Sequence, residues 1–190
     1  MTKVILLLAA SLVACCASAT AGDWYASVYG GVNRNSVIEI PGVKDETGGV
    51  FGGAVGKRIT AIPGLRAELD LSYRTNDVDV FGFVTAQHET TGALFNVAYD
   101  IDIGGDVKAY ALVGGGYGHT QATFENISLL RLEASDFAYQ AGAGASVPLA
   151  PGVSLSVGYR FFQAPVVEVF GLELSDGQNH SLIGSLSFDL

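Results

Sequence analysis

Eleven residues, Leu65 to Thr75 (LRAELDLSYRT), restrict the fold more than any other stretch of the chain. Leu65, Ala67, Leu69, Leu71 and Tyr73 fall on one side, and Arg66, Glu68, Asp70, Ser72 and Arg74 on the other. Side chains on a strand alternate with period 2, whereas a helix would spread these charges around its axis. The run is therefore a strand with one apolar and one charged face. The same alternation returns in Asn179–Leu190 (NHSLIGSLSFDL), where Leu182, Gly184, Leu186, Phe188 and Leu190 oppose Ser181, Ile183, Ser185, Ser187 and Asp189. The sequence ends on that strand, and an open edge with an apolar face aggregates unless something pairs with it. Pairing with the first strand would close a barrel, one of two architectures that leave no backbone group unpaired in lipid.

Six further segments read as strands: Asp23–Val32, Gly48–Ile59, Thr90–Ile101, Val107–His119, Phe137–Leu149 and Val153–Phe162. With the two above they make eight, each about ten residues long, the length a tilted strand needs to cross a bilayer. The connections alternate. Thr60–Gly64, Asp102–Asp106 and Ala150–Gly152 are short, with Gly and Pro in turn positions. Asn33–Thr47, Asn76–Glu89, Thr120–Asp136 and Gln163–Gln178 are long. Short turns at one end and long loops at the other are the pattern of outer-membrane barrels.

A soluble eight-stranded barrel would put its apolar face inside. Three features turn it outward. Aromatic residues gather near strand ends, with Trp24, Tyr99 and Phe188 toward the short turns and Tyr73, Tyr117, Phe137, Tyr139, Tyr159 and Phe161 toward the long loops, as two interfacial girdles would. The opposite face is small or polar, as in Gly142, Gly144, Ser146, Ser154, Ser156, Gly158, Ser185 and Ser187, which would line a poor apolar cavity. The closing strand also suits a barrel whose terminus is its assembly signal. Charges on the polar face belong inside, because a Lys or Arg at mid-bilayer costs about 2–4 kcal/mol. Inside they must pair. The predicted lumen network comprises Arg66, Glu68, Asp70, Arg74, Lys108 and Arg160, with Asp100 on the same face, and it fills the lumen.

The start of the chain reads as a secretory signal over residues 1–21: Lys3, an apolar core from Val4 to Val13, then small residues. Ala19-Thr20-Ala21 fits a small-x-small site, placing cleavage between Ala21 and Gly22 and the barrel domain at residues 22–190. A rival reading takes Leu12-Val13-Ala14-Cys15 as a lipoprotein box with Cys15 lipidated. Cleavage after Ala21 removes both cysteines, Cys15 and Cys16, and with them any disulfide, thiolate metal site or cysteine nucleophile. The remaining chain carries nine basic against 19 acidic residues, which disfavours nucleic acid as a partner. Almost all of that excess sits in the four long connections. Beside anionic lipopolysaccharide they would repel unless divalent cations bridge them; the alternative is ordinary solvated loops. Apolar residues also alternate there, at Val78, Val80, Phe81 and Phe83 and from Val166 to Leu174. They imply strands running past the membrane as hairpins, or an exposed adhesive patch for a host or partner surface.

RAELDLSY (Arg66–Tyr73), YALVGGGYG (Tyr110–Gly118), VGYRFF (Val157–Phe162) and LIGSLSF (Leu182–Phe188) resemble the bacterial outer-membrane beta-barrel family, porin-like proteins that include opacity and surface-antigen proteins and the transmembrane domain of outer membrane protein A. The resemblance spans Asp23 to Leu190. It implies insertion by the barrel assembly machinery into the outer membrane of a Gram-negative cell, among lipid and lipopolysaccharide. Many members end on an aromatic residue, whereas this sequence ends on Leu190 with Phe188 two before it. No peptidoglycan-binding domain follows, so no tether to the wall is implied.

No enzyme chemistry is expected. Of His88, His119 and His180, the tempting pair is His180 with Ser181, but neighbours on a strand face opposite ways. His180 is read as a rim residue within reach of Glu173 or Asp176. Gly114, Gly115, Gly116 and Gly118 lack the Lys-Ser/Thr and helix of a phosphate loop and read as relief of crowding in the lumen. No catalytic residue, cofactor or metal site is assigned. The expectation is a monomeric eight-stranded antiparallel up-and-down transmembrane β-barrel in an all-β class, with a structural or surface-exposed role. A narrow pore and an adhesin are the alternatives, and a lipid A-modifying enzyme is the weakest.

Overall fold

The computed structural model describes residues 22–35, 43–45, 47–80, 84–124, 131–166, 168–169, 172–173 and 177–190. The signal-sequence reading, with Lys3, Cys15, Cys16 and Ala21, lies outside the described residues, as do Phe81, Phe83 and Asp176. Eight long strands carry the fold: β1 Trp24–Asn35, β2 Gly48–Arg58, β3 Leu65–Val80, β4 Val84–Gly104, β5 Val107–Phe124, β6 Arg131–Ala150, β7 Val153–Gln163 and β8 Gln178–Asp189. Each pairs antiparallel with the next in sequence. β1 pairs with β8 over eleven rungs, from Tyr25↔Asp189 to Asn35↔Asn179, so the sheet closes on itself. At the Tyr25↔Asp189 end, Asp189 also donates its N–H to Gly152, and Leu190, one residue on, donates to Trp24.

The pleat sorts the side chains as the alternation requires. On β3, Glu68, Asp70, Ser72 and Arg74 are buried, while Leu69 and Leu71 are 66% and 67% exposed. Phe95, Val113, Val157 and Leu182 are likewise exposed, and Asn96, Leu112, Arg160 and Ser181 face inward. Apolar side chains this exposed around a whole barrel make sense only against hydrocarbon.

All three short turns depend on glycine. Gly64 (φ 86°), the pair Gly104 (φ 106°) and Gly105 (φ 60°), and Gly152 (φ 74°) adopt left-handed backbone that other residues rarely take. At the opposite end the strands outrun their expected limits. β3 and β4 stay paired from Leu65↔Tyr99 to Val80↔Val84, and β5 and β6 to Thr123↔Arg131. Most of the expected connections Asn76–Glu89 and Thr120–Asp136 are therefore strand. Val43–Asp45 adds to β3 at Val78–Val80, and Glu168–Val169 pairs with Leu172–Glu173. Outside the bilayer neither face need be apolar, so pairing continues where the apolar alternation fades.

Candidate functional site in the barrel lumen

Three storeys fill the lumen. The lowest, toward the short turns, centres on Arg66. Its Nη1 pairs with Glu68 Oε1, and its Nε lies 3.1 Å from both oxygens of Asp100. Tyr25 donates its hydroxyl to Glu68 at 2.6 Å and accepts from Arg66 at 3.0 Å. The next storey joins Asp70 to Arg160 Nη1 at 3.1 Å and to the Tyr29 hydroxyl at 2.9 Å, with the Arg160 guanidinium stacked 4.6 Å from the Tyr29 ring centre. A carboxylate capped by two donors and a cation stacked on a ring are how buried charges offset desolvation.

Above it Arg74 lies 3.8 Å from the Phe162 ring centre and donates to Ser72 Oγ at 2.7 Å. Its Nε and Nη2 have no hydrogen-bond partner among the described residues. Phe162 packs with Leu94, Ala138 and Ala164. Beside this layer Asn33 donates to Asn76 (2.6 Å) and Asn179 (2.9 Å) and accepts from Ser181 (2.7 Å). Gln140 donates to Asn96 at 2.8 Å. The chain leaving β7 also turns inward, since Ala164 and Pro165 are buried. A Cβ on Gly118 would sit 2.7 Å from Pro165 Cδ, so this glycine makes room for the cap. Gly56 and Gly52 do the same for Tyr25 and Tyr29, and Gly114 for Asn96.

Beside the two ion-paired storeys, and below the Arg74–Phe162 layer, a cavity of about 370 Å³ opens toward the short turns. Ser27, Ser146, Ser154, Ser156, Ser185 and Ser187 line it on one side, and the ion pairs on the other.

Three arginines and three carboxylates meet in the lumen: Arg66, Arg74 and Arg160 with Glu68, Asp70 and Asp100. Lys108, placed by sequence in this network, instead sits half-exposed at the rim, 4.0 Å from Asp102. Asp100 takes the place in the network that Lys108 was given. Sequence reasoning missed Arg58, which bonds Asp189 at 2.6 Å across the seam side of the rim. Trp24, Tyr99, Tyr117, Tyr139 and Tyr159 are exposed on the outer face, and Tyr73, Phe161 and Phe188 are half-exposed there.

The histidines lie apart, and His180 and Ser181 face opposite sides of the sheet. Ser181 points into the lumen toward Asn33, while His180 on the outer face hydrogen-bonds the Tyr159 hydroxyl and meets the Phe161 ring edge-on. The contact read with Glu173 or Asp176 lies outside the described residues and side chains. His88 Nδ1 accepts from Asn35 at 3.0 Å. His119 Nδ1 lies 2.7 Å from Ser135 Oγ on the outer face, a contact the sequence did not suggest. Hydrolysis would need an orienting acid and oxyanion donors. Among the described residues no carboxylate bonds His119, and strand N–H groups there are committed to the ladder.

The family model for the outer membrane protein beta-barrel domain matches residues 6–182. No curated protein sequence matches the chain. Among solved structures, Neisserial surface protein A is similar at 15% identity and TM-score 0.65, over 90% of this chain and 100% of that chain. The N-terminal β-barrel domain of Pseudomonas aeruginosa OprF is similar at 13% identity and TM-score 0.50, over 89% of this chain and 98% of that chain. Yersinia pestis Ail, an attachment invasion locus protein, is similar at 13% identity and TM-score 0.50, over 87% of this chain and 98% of that chain. At these identities the likenesses speak to fold. With apolar side chains outward, charges inward and a match running through nearly the whole sequence, the chain belongs to the outer membrane protein beta-barrel family and is a protein of the bacterial outer membrane.

Proposed function

We propose that this protein is a monomeric surface barrel that does not conduct: its lumen is a strut, and its long hairpins are its working part. It follows secretion with cleavage between Ala21 and Gly22, insertion by the barrel assembly machinery, and no catalysis. The observation that carries this reading is the storey of Arg74, Phe162 and the asparagine cluster, capped by Ala164 and Pro165, which crosses the lumen above the open cavity. Planar-bilayer recording of the folded monomer tests it. The expected record is silent, and a large steady conductance from the unaltered chain overturns the reading.

A second reading, binding of a host or partner surface, is favoured by β3 to β6. These strands run 16, 21, 18 and 20 residues, well beyond the roughly ten that a bilayer needs. Deleting the β3–β4 hairpin tip while the barrel still folds, then assaying adhesion to host cells, separates an adhesive from a purely structural role.

A further inference from the structure

The lower half of the lumen holds more hydrogen-bonding capacity than its own network uses. Ser156 and Ser185 bond each other on the cavity wall at 2.5 Å. The hydroxyls of Ser27, Ser146, Ser154 and Ser187, on the same wall, have no hydrogen-bond partner among the described residues. Opposite them the arginines are only partly committed. Arg66 spends Nη1 and Nε on Glu68, Tyr25 and Asp100, and Arg160 spends Nη1 on Asp70. Nη2 of each makes no bond within the network, and both side chains line the cavity. Tyr110 joins the two walls. A Cβ on Gly144 would sit 2.7 Å from its Oη, and one on Gly158 closer still. The ring from β5 therefore lies over glycines of β6 and β7, the strands that carry Ser146, Ser154 and Ser156. Its hydroxyl is also without a hydrogen-bond partner among the described residues.

Charge narrows the class of occupant. Arg66 and Arg160 stand against Glu68, Asp70 and Asp100, and nearer the mouth Asp102 and Asp106 outnumber Lys108, while Arg58 is held by Asp189. An anion would enter against that field. A cation would need a carboxylate to itself. Yet Glu68 already holds Arg66 and Tyr25, Asp70 holds Arg160 and Tyr29, and Asp100 holds Arg66. What stays open on both walls is hydroxyl and N–H. A hydroxyl both donates and accepts, so an array of them matches a ligand that does the same at several points. The volume, about 370 Å³, lies near the lower end of the roughly 300–1,000 Å³ of small-molecule sites, room for a single sugar-sized ring and not for a chain of them.

We infer that the lower lumen binds a neutral polyol of hexose size, entering from the short-turn side. Its oxygens accept from Arg66 Nη2, Arg160 Nη2 and the Tyr110 hydroxyl, and its hydroxyls exchange bonds with the serine wall. Each bond made replaces one to water, so the affinity is in the millimolar range. The inference requires the lower half of the lumen to be open and not the upper half to be sealed, so a conducting barrel would leave it standing.

The test uses the folded chain in phosphatidylcholine nanodiscs, titrated with glucose as the probe and with acetate as a small anion of similar polarity. Glucose should shift the backbone amide resonances of Ser154, Ser156 and Ser185 saturably, with a millimolar midpoint, and leave that of Ser135 on the outer face in place. Tyr110→Phe should weaken the midpoint several-fold, and Ser185→Leu, which fills the wall, should abolish the response. Shifts that rise without saturating, wall serines that do not move, an equal response to acetate, or an unaltered midpoint in either variant would overturn the site. If Ser185→Leu does not fold, Tyr110→Phe and the contrast between glucose and acetate on the unaltered chain decide.

Discussion

The two halves of the lumen share one set of strands and differ in side-chain size. Toward the long loops, Arg74, Phe162, Gln140 and four asparagines interlock, and the chain after β7 closes over them. Toward the short turns, serines face a wall of ion pairs across an open cavity of about 370 Å³. Eight strands give a bore just wide enough for side chains to fill, so filling is a choice of residue and not of architecture. Closure of the barrel fixes the backbone. Whether water crosses it is decided by a handful of inward positions in the outer half. The comparison predicts that substitutions in the ion-paired and packed storeys are costly and those on the serine wall are nearly silent.

The largest effect should come from Asp70. Asp70→Ala strands the Arg160 guanidinium beside Arg74, and breaking a buried pair from one side costs about 3–5 kcal/mol. Urea unfolding followed by heat-modifiable gel migration reads it. The double variant Asp70→Ala with Arg160→Met should recover much of the loss, because no orphan charge remains. A single variant as stable as the parent would mean that water already solvates this storey, and the line between packed and open halves would move upward.

Phe162→Ala should come next, at about 3 kcal/mol, by the loss of ring contacts with Leu94, Ala138 and the Arg74 guanidinium. It also sharpens the comparison through a second readout. If this storey is the seal, Phe162→Ala combined with Arg74→Ser should conduct where the parent is silent. Continued silence would place the seal at the asparagine cluster or the Ala164–Pro165 cap.

His88 offers a smaller effect, on the long-loop side of the outer girdle. Burial pushes its pKa below the ordinary 6.5, and Asn35 donates to its Nδ1, a bond that needs that nitrogen unprotonated. The unfolded chain therefore takes up a proton that the folded chain refuses. Stability should fall as pH drops below about 6.5 and level off once the folded form is protonated. His88→Gln should remove that part of the slope. An unchanged slope would mean that the proton is taken up elsewhere.

How far the sequence could be read follows from which features are local. The pleat is local, so Leu65–Thr75 alone assigned the inward and outward faces of β3, and the closing strand named its partner. Charge pairing is not local. Arg66 meets Asp100 because of the stagger between β3 and β4, set by strand tilt around the whole barrel and invisible in either strand. Lys108 sits on the right face but too near the rim, and Arg58 finds Asp189 only because the barrel closes. The long hairpins were half legible. Thr120 to Thr123 pair with β6 as regular strand, yet both faces there are polar, so the apolar period that marks a membrane strand is missing. Serine–histidine proximity at His119 and Ser135 likewise comes from register across two strands.

The smallest effect is also the sharpest test of the open half. Ser156 and Ser185 share a 2.5 Å hydrogen bond on the cavity wall, the kind of contact that would cost about 1–3 kcal/mol if its loss left a buried group unsatisfied. Here the cavity opens toward the short turns, so water can replace the missing partner. Ser156→Ala should then change stability by no more than about 0.5 kcal/mol, the range of solvated surface positions. Asn33→Ala, in the packed half, removes hydrogen bonds to Asn76, Asn179 and Ser181 with no such replacement, and should cost several times more. Equal costs for the two would show that the lower lumen is as dry as the upper one.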